Sequence, residues 1–181
     1  MEFFSESYFK RAASRIELFE QRTFSAQARS NSAISTKFDV FLSYNIADIE
    51  VVKAIFYVLT KLGLKVYLDC VVDPDMKRSE TDKQTAERIH HRLMNSKSLL
   101  YAQSPSAGQS NWMPWELGVV DGHTQRCFIM PVTKDAQQVT PRREYLTLYP
   151  YVKLGADGRM KIVRESAGGD YGINYVDYVK G

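Results

Sequence analysis

Residues 38–48 read FDVFLSYNIAD, a dense β-branched and aromatic run that breaks into polar residues at Asn45. Phe38 to Tyr44 is therefore read as a buried strand. Beyond it Ile49, Val52, Phe56 and Leu59 share one helical face, and Gly63 stops that helix. A second apolar strand, KVYLD (65–69), leads into a polar loop with Asp73, Pro74 and Asp75. Thr81 and Gln84 then form a capping box for a helix reaching about Asn95. Leu99 to Gln103 is a third strand, Ser110 starts another helix, Cys127 to Val132 is a fourth strand and Tyr151 to Leu154 a fifth. Short apolar strands alternating with amphipathic helices predict an α/β fold whose parallel sheet is covered on both faces.

Outside this block, Phe4, Tyr8, Ala12, Ile16 and Phe19 recur every three or four residues, which predicts one amphipathic helix over 3–22. The Ser, Ala and Thr-rich stretch 23–36 reads as a linker. At the other end, GADG (155–158) between two apolar runs predicts a hairpin, and Tyr171, Tyr175 and Tyr178 are read as packing residues. The expected organisation is an N-terminal helix and linker over 1–36, a central domain over 37–155 and a C-terminal extension over 156–181.

Composition narrows the function. The 181 residues carry a net charge of +3, too small and too dispersed to indicate a nucleic-acid groove. The two cysteines, Cys70 and Cys127, lie far apart and form no CxxC pair, so neither a disulfide framework nor a zinc cluster is expected and a cytoplasmic location fits. Glu2, Glu6, Lys10 and Arg11 interrupt the start where a signal peptide needs an uncharged stretch, and no apolar run is long enough for a membrane helix. Neither GxGxxG nor GxxxxGK[ST] occurs, which argues against dinucleotide redox and P-loop chemistry.

In an open parallel sheet, ligands bind beyond the carboxyl ends of the strands. There lie Ser43, Tyr44, Asp69, Ser104 and the SNWMPWELG stretch (110–118). Trp112 and Glu116 are four apart and so project from one helix face, with Ser110 as N-cap. A lone Glu there is ordinarily a solvated residue near a positive helix end. Trp112 suits a core anchor or a pocket wall; Trp115 faces elsewhere and is read as core. Ser43 and Tyr44 suit a plain strand end or a ligand contact, Asp48 an N-cap or a ribose contact, and Asp69 a strand-to-loop residue or a binding group. Tyr67 is read as structural. Adjacent His90 and His91 point about 100° apart and make a poor metal pair, so no metal is expected. Cys127 is expected to be buried and inert, and His123 to sit at a solvated helix end.

FDVFLSYNIAD, KVYLD and SNWMPWELG, in that order and spacing, resemble a bacterial Toll/interleukin-1 receptor (TIR) domain over residues 37–155. The resemblance implies a flavodoxin-like three-layer fold and, as in many bacterial members, cleavage of NAD between nicotinamide and ribose. NAD is then substrate rather than cofactor. Glu116 falls on the family's catalytic glutamate, and Ser43 and Tyr44 on residues that contact the dinucleotide. Cys70 to Glu80 corresponds to a loop through which enzymatic relatives contact a neighbouring subunit, although here it carries DPDMKR and lacks the usual glycine. Chains of this size look like the signal-making component of Thoeris-type anti-phage systems, which release a cyclic ADP-ribose-type molecule for a separate effector. The competing expectations are a non-catalytic TIR adaptor with a solvated Glu116, and a nucleoside deoxyribosyltransferase-like enzyme.

Overall fold

A computed structural model describes residues 1–31, 33, 35–76, 83–134, 143–164 and 172–181. The strand predicted from FDVFLSY is β2 (Val40–Ser43), entirely buried, with β1 a short Phe4–Ser5 strand ahead of it. The others are β3 (Val66–Tyr67), β4 (Leu99–Gln103), β5 (Cys127–Thr133), β6 (Tyr151–Leu154), β7 (Met160–Val163) and β8 (Ile173–Asn174). They form one sheet in the order β3-β2-β4-β5-β6-β7-β8, with β1 pairing onto β5. The first five are mutually parallel, in the flavodoxin arrangement. The hairpin expected at GADG joins β6 to β7 in antiparallel register.

Helices cover both faces: α1 (Glu6–Ser14), α2 (Leu18–Ser30), α3 (Ile49–Lys61), α4 (Asp69–Val72), α5 (Lys83–Met94), α6 (Trp112–Thr124) and α7 (Tyr175–Lys180). Cys127 and Phe128 show the division, because successive strand residues point to opposite faces. The Cys127 thiol reaches the Leu117 carbonyl of α6, whereas the Phe128 ring packs edge-on against Tyr175 of α7. Gly63 ends α3 as expected, with φ +81°; a Cβ there would lie 2.8 Å from Lys180 Nζ.

The N-terminal reading needs correction. Phe4 is a strand residue pairing with Val132, Ser5 caps α1 by accepting the Tyr8 N–H at 3.1 Å, and the helix stops at Ser14. It stops there because the Gln21 side-chain amide donates to the carbonyls of Ala13 and Ile16, both at 3.0 Å, which satisfies groups a continuing helix would bond to itself. The predicted linker is α2 as far as Ser30, packing Phe24 and Ala28 against the core. KVYLD is shorter as a strand than predicted, since Asp69 already begins α4. Thr81, Lys77 to Glu80 and Tyr171, named in the sequence reading, lie outside the described residues.

Candidate functional site

The switch point of this sheet lies between β2 and β4, where the connections leave toward opposite faces. Ser43 ends β2 and pairs in register with Tyr101 of β4, so both side chains point to the face that α6 covers. Glu116 meets them from α6. Ser43 Oγ donates a 2.6 Å hydrogen bond to Glu116 Oε2, and the Glu116 side chain is completely buried, at 0% exposure. The solvated glutamate expected of an ordinary helix end is therefore not what this chain has.

Local sequence explains the placement. Met113, Glu116, Leu117 and Val120 are the buried residues of α6, spaced as one inward face with an acid in an apolar row. Pro114 falls in the first turn, where its missing N–H costs nothing. Ser110 Oγ accepts the Met113 N–H at 3.3 Å, fixing the start of the helix. Trp112 is half-buried one turn before Glu116. Trp115, read as core, is instead 38% exposed because it falls outside the inward face; its ring meets Trp112 edge-on at 5.6 Å.

Tyr44 turns the other way from Ser43, as strand alternation requires. Its hydroxyl donates to Asp69 Oδ1 at 2.7 Å, and the same oxygen accepts the Cys70 N–H at 2.7 Å. Tyr44 and Asp69 are both buried. Asp48 is half-buried and does not cap α3 as expected: its carboxylate accepts hydrogen bonds from the hydroxyls of Ser104 and Ser106 instead.

Three residues enter the site that sequence reasoning did not single out. Tyr101, Tyr145 and Arg143 gather on the Glu116 side of the β4 end; burial, and then the neighbouring Tyr145, raise the Tyr101 phenol above its ordinary pKa, with Glu116 adding in the same direction. A cavity of about 80 Å³ lined by Tyr101, Gln103, Ser104, Arg143 and Leu146 opens there. The segment bearing Arg143 and Tyr145 is fastened to α6, since Tyr149 donates to Asp121 at 3.1 Å; burial, with Asp121 beside it, pushes that phenol up to about 12. Tyr101 arrives through the strand register and Arg143 and Tyr145 through the segment that leads into β6, and no local pattern announces the meeting.

Tyr67 is structural, as read: fully buried, its hydroxyl donates to Asp73 at 2.9 Å, and Arg92 grips the same carboxylate with two 3.0 Å bonds. Cys127 is buried, and desolvation pushes its thiol up to about 12. His90, His91 and His123 are exposed. Among the described residues no group of three or more metal-ligating side chains converges, and no helix is long and apolar enough to cross a membrane.

Against known families, residues 40–162 match the model of the TIR domain. This chain belongs to the TIR domain family. The TIR protein is 38% identical over 130 residues to the probable 3′ cyclic ADP-D-ribose synthase ThsB′ of Bacillus cereus (strain MSX-D12), covering 71% of this chain and 67% of that one. A protein of Cytobacillus dafuensis, provisionally named as a cyclic ADP-D-ribose synthase, TIR2, is 30% identical over 90 residues; the match takes in 49% of this chain and 24% of that protein. Among solved structures, the TIR domain of the Toll-related receptor TRR-2 from Hydra magnipapillata is similar at a TM-score of 0.48 and 20% identity, over 65% of this chain and 84% of that one.

Proposed function

We propose that this TIR protein cleaves NAD at the bond between nicotinamide and ribose and closes the remaining ADP-ribose into a cyclic signal nucleotide. The observation that carries the reading is the fully buried Glu116 carboxylate, held by Ser43 at the mouth of the sheet. The competing adaptor reading expects this residue to be solvated. The 38% identity to a protein named as a 3′ cyclic ADP-D-ribose synthase supports the same chemistry.

As the C1′–N bond breaks, its electron pair leaves with nicotinamide, which departs neutral from a cationic pyridinium. No general acid is needed. Positive charge develops on the ribose, and a fixed carboxylate beside it stabilises that charge most where water is excluded. Ser43 presents Oε2 in one orientation, so little reorganisation is required at the reacting moment. An internal nitrogen or hydroxyl of the ADP-ribose then bonds to C1′, and a hydroxyl gives up its proton as it does so. Capture by water would yield linear ADP-ribose instead.

On this reading Trp112, one turn from Glu116, walls the NAD-binding site, and Asp48 receives ribose. Tyr44 and Asp69 contact the dinucleotide end of the site through the strand terminus they brace. The protein acts in the cytoplasm, self-associates through TIR–TIR contacts and reaches a separate effector through its diffusible product in Thoeris-type anti-phage defence. Incubation with NAD and mass spectrometry of the products tests this reading. Free nicotinamide plus a nucleotide one water lighter than ADP-ribose is expected, and intact NAD in the presence of infected-cell lysate would overturn it.

A further inference from the structure

Above Ser43 and Glu116, side chains sew together the two loops that flank the switch point. Asp48, after β2, accepts hydrogen bonds from both Ser104 and Ser106, after β4. Asn45, three residues before Asp48, donates from Nδ2 to the Ser106 carbonyl at 2.7 Å, while its Oδ1 accepts the Ala47 N–H at 3.0 Å. From the far side the Arg143 guanidinium donates to the Gly108 carbonyl. The 104–109 loop is thus fastened along its length and leads directly into α6, whose Glu116 carboxylate is wholly out of solvent.

The partners of Asp48 carry chemical information. Two hydroxyls converge on one carboxylate oxygen, Oδ2, at the end of the sheet where ligands bind. A ribose offers the same pair of donors on adjacent carbons. Asp48 is also free of the helix-capping duty its position suggests, so its carboxylate is committed to the loop alone.

We infer that Asp48 is the receptor for a ribose diol and that Ser104 and Ser106 occupy it in the resting protein, latching the 104–109 loop over Glu116. This rests on the NAD-cleaving reading. The incoming diol replaces the two serine hydroxyls on the carboxylate, and the freed loop uncovers Glu116. Recognition of the sugar and opening of the site are one event. The closed latch weakens apparent ligand affinity by the fraction of protein it holds shut.

Two variants of the full-length chain test the latch, with amide hydrogen exchange over 104–109 and calorimetric binding of ADP-ribose as readouts. Ser104→Ala/Ser106→Ala removes the latch and keeps the receptor; Asp48→Ala removes both. Each variant is expected to speed exchange of the loop about tenfold, since two side-chain hydrogen bonds are lost. ADP-ribose should bind about threefold or more tightly to the serine variant and at least about threefold more weakly to Asp48→Ala. A purely structural cluster would shift both affinities in the same direction, and that result, or unchanged exchange in the serine variant, overturns the proposal. Nicotinamide release by the unaltered protein is scored separately: its absence counts against NAD cleavage, while the binding and exchange data still decide the latch.

Discussion

Ser43 does for Glu116 what a neighbouring hydroxyl does for any buried carboxylate: it offsets part of the cost of removing the charge from water and fixes the orientation of the acid, which on the proposed mechanism sets the oxygen that faces the sugar. Ser43→Ala should leave the chain folded and lower the rate of nicotinamide release about tenfold with little change in KM, because the contact orients the acid rather than binding substrate. Steady-state kinetics on the purified variant checks this. A comparable fall in affinity would instead assign the hydroxyl to substrate binding. The position of Glu116 was legible, since Trp112 precedes it by one turn and Met113, Leu117 and Val120 mark the buried face around it. Tyr101 and Tyr145 were not. Tyr101 joins Ser43 only through the β2–β4 register, a pairing of residues far apart in the chain that periodicity within one segment cannot reveal. Of the two roles open to Asp48, side-chain capping fails because its partners lie more than fifty residues further on.

Between elements, Arg92 on α5 and Asp73 after α4 form a buried ion pair. The guanidinium meets both carboxylate oxygens at 3.0 Å, donates to the Ala33 carbonyl at 2.8 Å and lies over the rings of Phe38 and Tyr67. Removing one partner strands the other's charge in the core. Asp73→Ala should therefore cost about 3–5 kcal/mol of stability, read as a lower urea midpoint, whereas exposed Asp75→Ala, which breaks the surface pair with Arg88, should cost less than about 1 kcal/mol. Equal losses would contradict the account. Helices and strands with a clear apolar period were readable at this scale, as α3, α6, β4 and β5 are. The α1–α2 break was not, because it depends on a Gln21 side chain folding back onto carbonyls that its own sequence neighbourhood does not mark. The stretch after it resembles a linker in composition, yet Ala is the strongest helix former and Phe24 and Ala28 give the helix a buried side.

At the scale of the molecule, the alternating strands and helices of residues 38–154 specified the parallel core, and the strand order places Ser43 and Glu116 together at its carboxyl edge. The N-terminal segment is part of that body rather than attached to it. Phe4 and Phe9 are fully buried, β1 adds to the carboxyl half of β5, and Glu2 exchanges two backbone hydrogen bonds with Leu154 at 2.9 and 3.0 Å. Each buried phenylalanine contributes about 1.5–3 kcal/mol, so deletion of residues 1–14 should lower the thermal midpoint by about ten degrees or more. A midpoint unchanged by the deletion would restore the expectation of a separate N-terminal helix and linker. The central claim concerns one carboxylate within this frame, and nicotinamide release from NAD by the full-length chain against its Glu116→Gln variant tests it most directly. Glutamine keeps the size and can still accept the Ser43 hydrogen bond, but it carries no charge to stabilise the ribosyl cation. A fall of at least about 100-fold, with the variant as stable as the parent, is the predicted result. Release at the parental rate from a folded Glu116→Gln protein would contradict the account.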